Sequence, residues 1–334
     1  MDLPRQSPAS ARRPRLPLGV GPARRVSFLG DFAWERGAVR VRKTGARILL
    51  DGALLRDILI WSVFYVVLAA LSMAGLFGRA GPRMAFLPDR PRPWYLVRVA
   101  LMAAGGRVVP DPARADLVMQ FEDAVEGWHA PPRAVPPAAL LNFGAGDIRK
   151  SQVAAAFEQA FGYPLSLDPA TGEGLAVEKS EGNGVHDGRC ISRPCPPRPG
   201  FVYQRFIDTQ AEDGLVEDLR TPTVAGRPVA VFIKRRRPEA RFSNDNVACV
   251  LRCPEEVFSP EETAAIGRFC ALLGLDWGGL DILRDRADDR LYIVDANKTD
   301  MGPPIALSLR DKLRAVRALG AALRALAASR RSMI

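Results

Sequence analysis

Asp281, Asp295 and Asn297 place oxygen donors inside two otherwise apolar stretches, LDWGGLDILRD and LYIVDANKTDMGPP. A strand sends alternate side chains to one face, so Asp295 and Asn297 point the same way, two residues apart. Asp281 interrupts a run that leads through about ten residues of polar turn into the second stretch, the pattern of a hairpin with acids on its shared face. Two carboxylates and a carboxamide form a hard, oxygen-only set, suited to Mg²⁺ bridging nucleotide phosphates with room left for water. The plainer alternative for so short a motif is a pair of strand-end acids that cap turns.

Lysine is the second signal. The chain has six Lys against 41 Arg, and a compact ammonium is not interchangeable with a planar fork. Lys150 opens DIRKSQVAAAFEQAFGYP, which reads as a helix capped by Asp147 or Ser151, running to about Phe161 and stopped by Gly162. A cation at that end opposes the helix dipole, which fits a shared phosphate site, although a solvated lysine is the commoner explanation. Lys179 stands at the entrance of the loop SEGNGVHDG, where Gly182, Gly184 and Gly188 would let backbone N–H groups surround phosphate oxygens. The loop is neither a Walker A nor a GxGxxG motif. Without a ligand it is a hairpin tip.

The elements that must position these groups follow from patterning. MAFLP, RVV and ADLVMQFED read as strands and RPWYLVRVALMAAGG as a helix, a βαβ-like unit with a small parallel sheet. APPRAVPPAALLNFG is a proline-rich connector. LAVEK and FVYQRFID are strands, EDLRTPTVAGRPVAVFIKRRRP reads as two strands around a turn at Ala225 to Pro228, and ARFSNDN follows. SPEETAAIGRFCALLG is a helix with Ser259 and Glu262 as capping box and Gly274 as stop. An Arg- and Ala-rich helix from about Ile305 to Ser329 closes the chain.

The formal net charge of +10 is unevenly spread. Residues 1–83 hold 14 Arg and Lys against 5 Asp and Glu, a surplus of 9 that leaves +1 for the rest. The body carries no basic helix or aromatic-plus-Arg surface of the nucleic-acid-binding kind, so no nucleic-acid partner is expected there. Five Cys without a CxxC pair argue against zinc and for reduced thiols. With only His129 and His186, histidine-based catalysis has few candidates.

Residues 1–50 read as a flexible basic arm with no secretory signal at its start, and 51–83 as an apolar helix. ILIWSVFYVVLAALSMAGLFG, Ile58 to Gly78, is uncharged and long enough to cross a bilayer. Both flanks are basic, so the positive-inside rule sets no orientation. Membrane contact is the expectation, by a spanning helix or one lying in the interface, and a helix buried in the protein is the competitor. Met84, just before the first strand, is an alternative start.

The order of these motifs over about residues 84–310 resembles the ATP-grasp superfamily, most nearly the branch of ribosomal-protein glutamate ligases and amino-acid ligases. The resemblance implies an α/β fold with α+β lobes: a small Rossmann-like pre-ATP-grasp domain at 84–145, a first lobe with the glycine-rich loop at 146–205 and a second lobe with the metal site at 206–330. It implies ATP and Mg²⁺, or Mn²⁺ in its place. Lys150 and Lys179 match phosphate-contacting lysines, followed by Gly182 and Gly184. YQRFID is similar to the hinge that meets adenine, which gives Gln204, Arg205, Phe206 and Ile207 that role and puts Asp208 near the ribose. Arg220, Lys234, Arg241 and Asn244 match positions around the γ-phosphate and acyl intermediate, and Asp281, Asp295 and Asn297 match the metal ligands. The second metal acid is often Glu in the family, and the turn KTDMGPP departs from its usual Pro-Gly ending. The activity implied is ATP-dependent ligation of a small-molecule carboxylate to an amine through an acyl phosphate. The alternatives are a small-molecule kinase or a catalytically silent nucleotide-binding module tethered to the membrane. Such a body belongs in the cytoplasm, attached to the inner face of the membrane where the apolar helix makes contact.

Overall fold

The computed structural model describes residues 32–41, 47–77, 81–182, 187–243 and 245–333. The stretch expected to be a flexible arm through residue 50 contains three strands, Phe32–Glu35 (β1), Ala38–Val41 (β2) and Arg47–Leu49 (β3), paired antiparallel in that order. Their arginines give the segment a basic composition, yet Arg alternating with apolar residues in AVRV is also a strand pattern. Gly37, at φ 72°, supplies the left-handed residue that closes the first hairpin.

Helix α1, Gly52–Met73, begins where the Asp51 carboxylate accepts the Leu54 N–H at 2.9 Å. Then Arg83–Pro88 (β4), Leu96–Ala103 (α2), Arg107–Val108 (β5), Leu117–Phe121 (β6) and Leu140–Leu141 (β7) build a parallel sheet in the order β5-β4-β6-β7. The presumed connector thus contributes the fourth strand, in register Val118 to Leu140.

Lys150–Phe161 (α3) ends at Gly162 in the left-handed region, as its sequence requires. Its N-cap is Arg149; neither Asp147 nor Ser151 takes that position, because the Asp147 carboxylate accepts from Arg149 N at 3.0 Å and Ser151 N donates to Glu181 at 3.1 Å. Gly174–Ser180 (β8), Arg189–Arg193 (β9) and Phe201–Arg205 (β10) make an antiparallel sheet in the order β10-β8-β9.

The largest sheet is antiparallel, made of Val216–Val224 (β11), Arg227–Pro228 (β12), Val231–Arg236 (β13), Ala248–Arg252 (β14), Trp277–Arg284 (β15) and Leu291–Asn297 (β16). Its order is β14-β13-β11-β15-β16, with β12 paired to β11. Pro260–Leu273 (α4) precedes β15, with the Ser259 and Glu262 capping box and left-handed Gly274 both present. Leu309–Arg331 (α5), capped by Ser308, follows β16. The polar turn of the β15–β16 hairpin spans residues 285–290, shorter than expected because both strands run further.

This sheet is covered on both faces. Phe157 of α3 and Phe269 of α4 pack with Leu280, Ile282 and Tyr292 on one side, and an aromatic set of Phe157, Phe161, Tyr163 and Tyr292 joins α3 to β16 with ring centroids 4.7 to 5.6 Å apart in its closest pairs. On the other side Phe232 and Trp277 share a cluster with Phe64, Leu96, Phe121 and Leu319 from the N-terminal elements and α5. Each fully buried side chain of this size contributes about 1.5–3 kcal/mol, so these two clusters fix the layers. Gly320 permits the closest helix contact: a Cβ there would lie 2.7 Å from the Ala103 carbonyl carbon.

Candidate active site

A cleft of about 1060 Å³, its open mouth included, separates the β10-β8-β9 sheet from the six-stranded sheet. The lysines come from the upper wall. Lys150 leaves the first turn of α3 and its Nζ donates to the Gly182 carbonyl. Lys179, on β8, donates to Gln204 Oε1 on the neighbouring strand β10 at 3.0 Å. Burial pulls the Lys179 ammonium below its usual range, against the attraction of Asp295.

The floor is set by strand register. Arg220 on β11 is opposite Asp281 on β15, and Asp281 is opposite Asp295 on β16. Arg220 Nη1 donates to Asp281 Oδ1 at 2.7 Å. A bulge lies in the β15–β16 ladder: Ile282 pairs with Ile293, leaving Val294 as the extra residue before Asp295. Val294 and Asp295 therefore both line the cleft, which an unbroken strand alternation would forbid. Burial opposes ionisation of Asp281, but the adjacent Arg220 and Lys234 outweigh it and hold the carboxyl low. For Asp295 burial outweighs the attraction of Lys150, Lys179 and Arg220 and pushes it up to about 6.

Of the residues singled out by sequence, Lys150, Lys179, Gly182, Gln204, Arg205, Ile207, Lys234, Arg241, Asp281 and Asp295 come together around this cleft. Arg241 is engaged from below: its Nη1 donates to the Ile207 carbonyl at 2.8 Å and its guanidinium lies 4.6 Å over the Phe206 ring. Arg205 pairs with Asp285 at 3.3 Å. Phe206 and Asp208 are not among the lining residues, and the Asp208 carboxylate accepts the Gln210 N–H, closing a turn. Asn297 shares the strand face, but its Oδ1 accepts from Thr299 N at 2.8 Å and lies 3.1 Å from Thr299 Oγ1. Arg220 bridges Asp281 and Asp300 behind the cleft wall. Gly184 and Asn244 lie outside the described residues.

Two site residues escaped the sequence reading. Asp218, two residues before Arg220 and opposite Lys234, lines the cleft and accepts from Arg236 Nη2 at 3.1 Å; the alternation of EDLR carried that signal. Burial, then the Asp281 charge, raise its carboxyl. Asp300 sits in the turn after β16, in space that Gly279 leaves free, and its link to Arg220 spans 80 residues of sequence. No local pattern reports that.

Among the described residues, no group of three or more His, Cys, Asp and Glu converges to hold a metal. The set here is instead a carboxylate pair beside lysines, with Asp218 Oδ1 and Gln204 Nε2 buried and without hydrogen-bond partners among the described residues. A buried, poorly compensated acid next to an acid held ionised suits a hard divalent cation, and the two lysines suit polyphosphate.

No family model and no curated protein matches the chain. Among solved structures it is similar to PsnB complexed with minimal precursor, Mg and ADP, at 13% identity over 74% of this chain and 98% of that one, with a TM-score of 0.44. It is also similar to D-alanine–D-alanine ligase from Bacillus anthracis (9%, 75% and 99%, TM-score 0.43) and to the D-cycloserine synthetase DcsG (16%, 73% and 99%, TM-score 0.43). Its structural neighbours include ATP-grasp ligases. In three other PsnB complexes the chain spans 62% to 64% of the length of the chain it matches. The likeness to these ligases is one of coarse fold.

The turn following the candidate metal strand is tied to the parallel-sheet domain. Thr299 Oγ1 donates to Asp123 Oδ1 at 2.9 Å, Tyr95 Oη donates to Asp123 Oδ2 at 3.1 Å, and Leu96 N donates to the Asp300 carbonyl at 2.8 Å. Lys298 is buried there, and its Nζ donates to the Ala145 carbonyl at 3.3 Å.

Proposed function

We propose that the chain is an ATP-dependent carboxylate–amine ligase of ATP-grasp type, with Mg²⁺ as its metal. The observation that carries the reading is the cleft itself, which sets Lys150 of α3 and Lys179 of β8 against Asp281 and Asp295 of the β15–β16 hairpin. Asp281 and Asp295 would hold the cation, which when bound neutralises phosphate charge. Lys150 and Lys179 bind phosphate oxygens, and Gln204 fixes the Lys179 ammonium.

The chemistry matches this inventory. A substrate carboxylate oxygen bonds to the γ-phosphorus of ATP as the bond to ADP breaks, giving an acyl phosphate. An amine then attacks the acyl carbon, phosphate leaves, and the amine loses a proton. Such transfer needs charge neutralisation and positioning more than a protein nucleophile; Ser243, which lines the cleft, donates its hydroxyl to the Ala240 carbonyl at 3.0 Å. Lys234, paired in register with Asp218 and lining the same cleft, would face the transferred group.

The test is a thermal-shift and binding titration of the full chain with ATP and Mg²⁺, beside Lys179→Ala and Asp295→Ala. Each variant should lose about tenfold to a hundredfold in nucleotide affinity, the value of one charge-assisted contact. ADP release that requires both a carboxylate and an amine supports ligation. Release with no carboxylate requirement indicates a kinase, binding without turnover indicates a silent module, and no binding by the folded wild type sinks the assignment.

A further inference from the structure

Helix α1 is 22 residues long and contains an 18-residue stretch with a mean hydropathy of 2.0, and at about 1.5 Å per residue it matches the thickness of a bilayer core. Its packing argues against spanning. Phe64 and Leu68 are fully enclosed in the cluster that also holds α2 and α5, and Trp61 and Tyr65 pack on the same cluster. Ser72 Oγ donates to the Met102 carbonyl at 3.0 Å, and Arg324 Nη1 of α5 reaches the Phe77 carbonyl at 2.6 Å just past the helix end. A helix crossing the membrane would drag α5, with its arginines, into hydrocarbon, where such groups are expensive.

The opposite side of α1 has a different character. Leu55, Leu59, Val66 and Met73 are 63% to 82% exposed, and Ile58 and Val63 join them. These positions recur at helical spacing and form one face. Leu49 and Leu50 before the helix and Leu76 after it continue the exposed apolar run. On the helix itself the only charges are Arg56 and Asp57, which pair at 3.3 Å. Nine of the ten net positive charges of the chain fall in residues 1–83.

An apolar stripe over a packed inner face, in the most basic part of the chain, matches a helix lying in the plane of an anionic membrane interface. We infer that α1 is such a monotopic anchor, with its outer face of Leu55, Leu59, Val66 and Met73 entering the headgroup and acyl boundary and the remainder of the protein held on one side.

The experiment is flotation of the full chain with phosphatidylcholine vesicles, with and without about 30% phosphatidylserine, at low and high salt. The wild type should float with the anionic vesicles, lose at least about tenfold in partitioning on neutral vesicles, and weaken with salt. Leu59→Arg combined with Val66→Arg should abolish flotation while leaving the thermal unfolding midpoint unchanged, since both side chains are exposed. Should that pair misfold, Leu59→Gln with Val66→Gln is the milder substitute and should weaken partitioning. Cellular membranes washed with alkaline carbonate should release the protein. Retention through that wash means a spanning helix and overturns the inference. So does a wild type that floats with neither vesicle, including one whose α1 face is covered by a second copy in a dimer disrupted by the arginine pair.

Discussion

Asp281 and Asp295 are register partners at the centre of the β15–β16 hairpin, and Asp281 is ion-paired directly to Arg220 at 2.7 Å while Asp295 feels that arginine only at longer range. The arrangement stores an electrostatic cost in the free protein that a bound cation would relieve.

Asp295→Asn should separate stability from binding. At pH 8 both carboxylates are ionised in the wild type, and each unit by which burial raises the Asp295 carboxyl corresponds to about 1.4 kcal/mol against the charged fold. The neutral isostere should therefore be more stable than wild type by about 1–3 kcal/mol in the absence of metal. Millimolar Mg²⁺ should raise the melting temperature of the wild type and leave that of the variant unmoved. A variant that still responds to Mg²⁺ would place the cation elsewhere.

Glu178 anchors the strand that presents Lys179. Its carboxylate is buried, accepts from Arg189 Nε at 2.6 Å, Arg198 Nη1 at 2.8 Å and Tyr203 Oη at 2.8 Å, and spans all three strands of its sheet. The Arg189 hydrogen bond holds its carboxyl below the usual range. A depressed carboxyl contributes stability that is present above the unfolded value and is lost as pH falls through the folded one. Glu178→Gln should cost about 1–3 kcal/mol at pH 7, the worth of charge-assisted bonds. Urea titrations at pH 7 and pH 3 test this: the gap between wild type and variant should narrow at the lower pH, and a constant gap would mean that the charge is irrelevant.

Local chemistry made part of this legible in the sequence. Ser259, Glu262, Gly162 and Gly274 announce helix ends because caps are decided within four residues, and the Asp281 and Asp295 pair follows from hairpin alternation. What escaped depends on distant partners. The Val294 bulge, the capture of Asn297 Oδ1 by Thr299, and the sharing of Arg220 between Asp281 and Asp300 arise only when strands and turn assemble. The strands β1 to β3 were hidden by composition, since arginine-rich sequence reads as an arm until its alternation is weighed.

Asn142 offers the clearest test of how the parallel-sheet domain is fastened to the sheet that bears the site. It is fully buried at φ 61°, a left-handed backbone that asparagine tolerates better than most residues. Its Oδ1 accepts from Asp276 N at 2.8 Å and Trp277 N at 2.9 Å, its Nδ2 donates to the Trp277 carbonyl at 2.8 Å, and its own N–H donates to Asp276 Oδ2 at 2.8 Å. One side chain thus satisfies three backbone groups at the start of β15, the strand that carries Asp281. Asn142→Ala leaves those groups buried without partners and adds left-handed strain, so it should cost about 2–5 kcal/mol. Asn142→Asp keeps the acceptor but loses the donor to the Trp277 carbonyl and brings a charge near Asp276, so it should also destabilise. Denaturant unfolding measures both. If Asn142→Ala were within about 0.5 kcal/mol of wild type, the level of a neutral surface change, the bridge would not fasten the domains, and Asp281 would owe its position to the sheet alone.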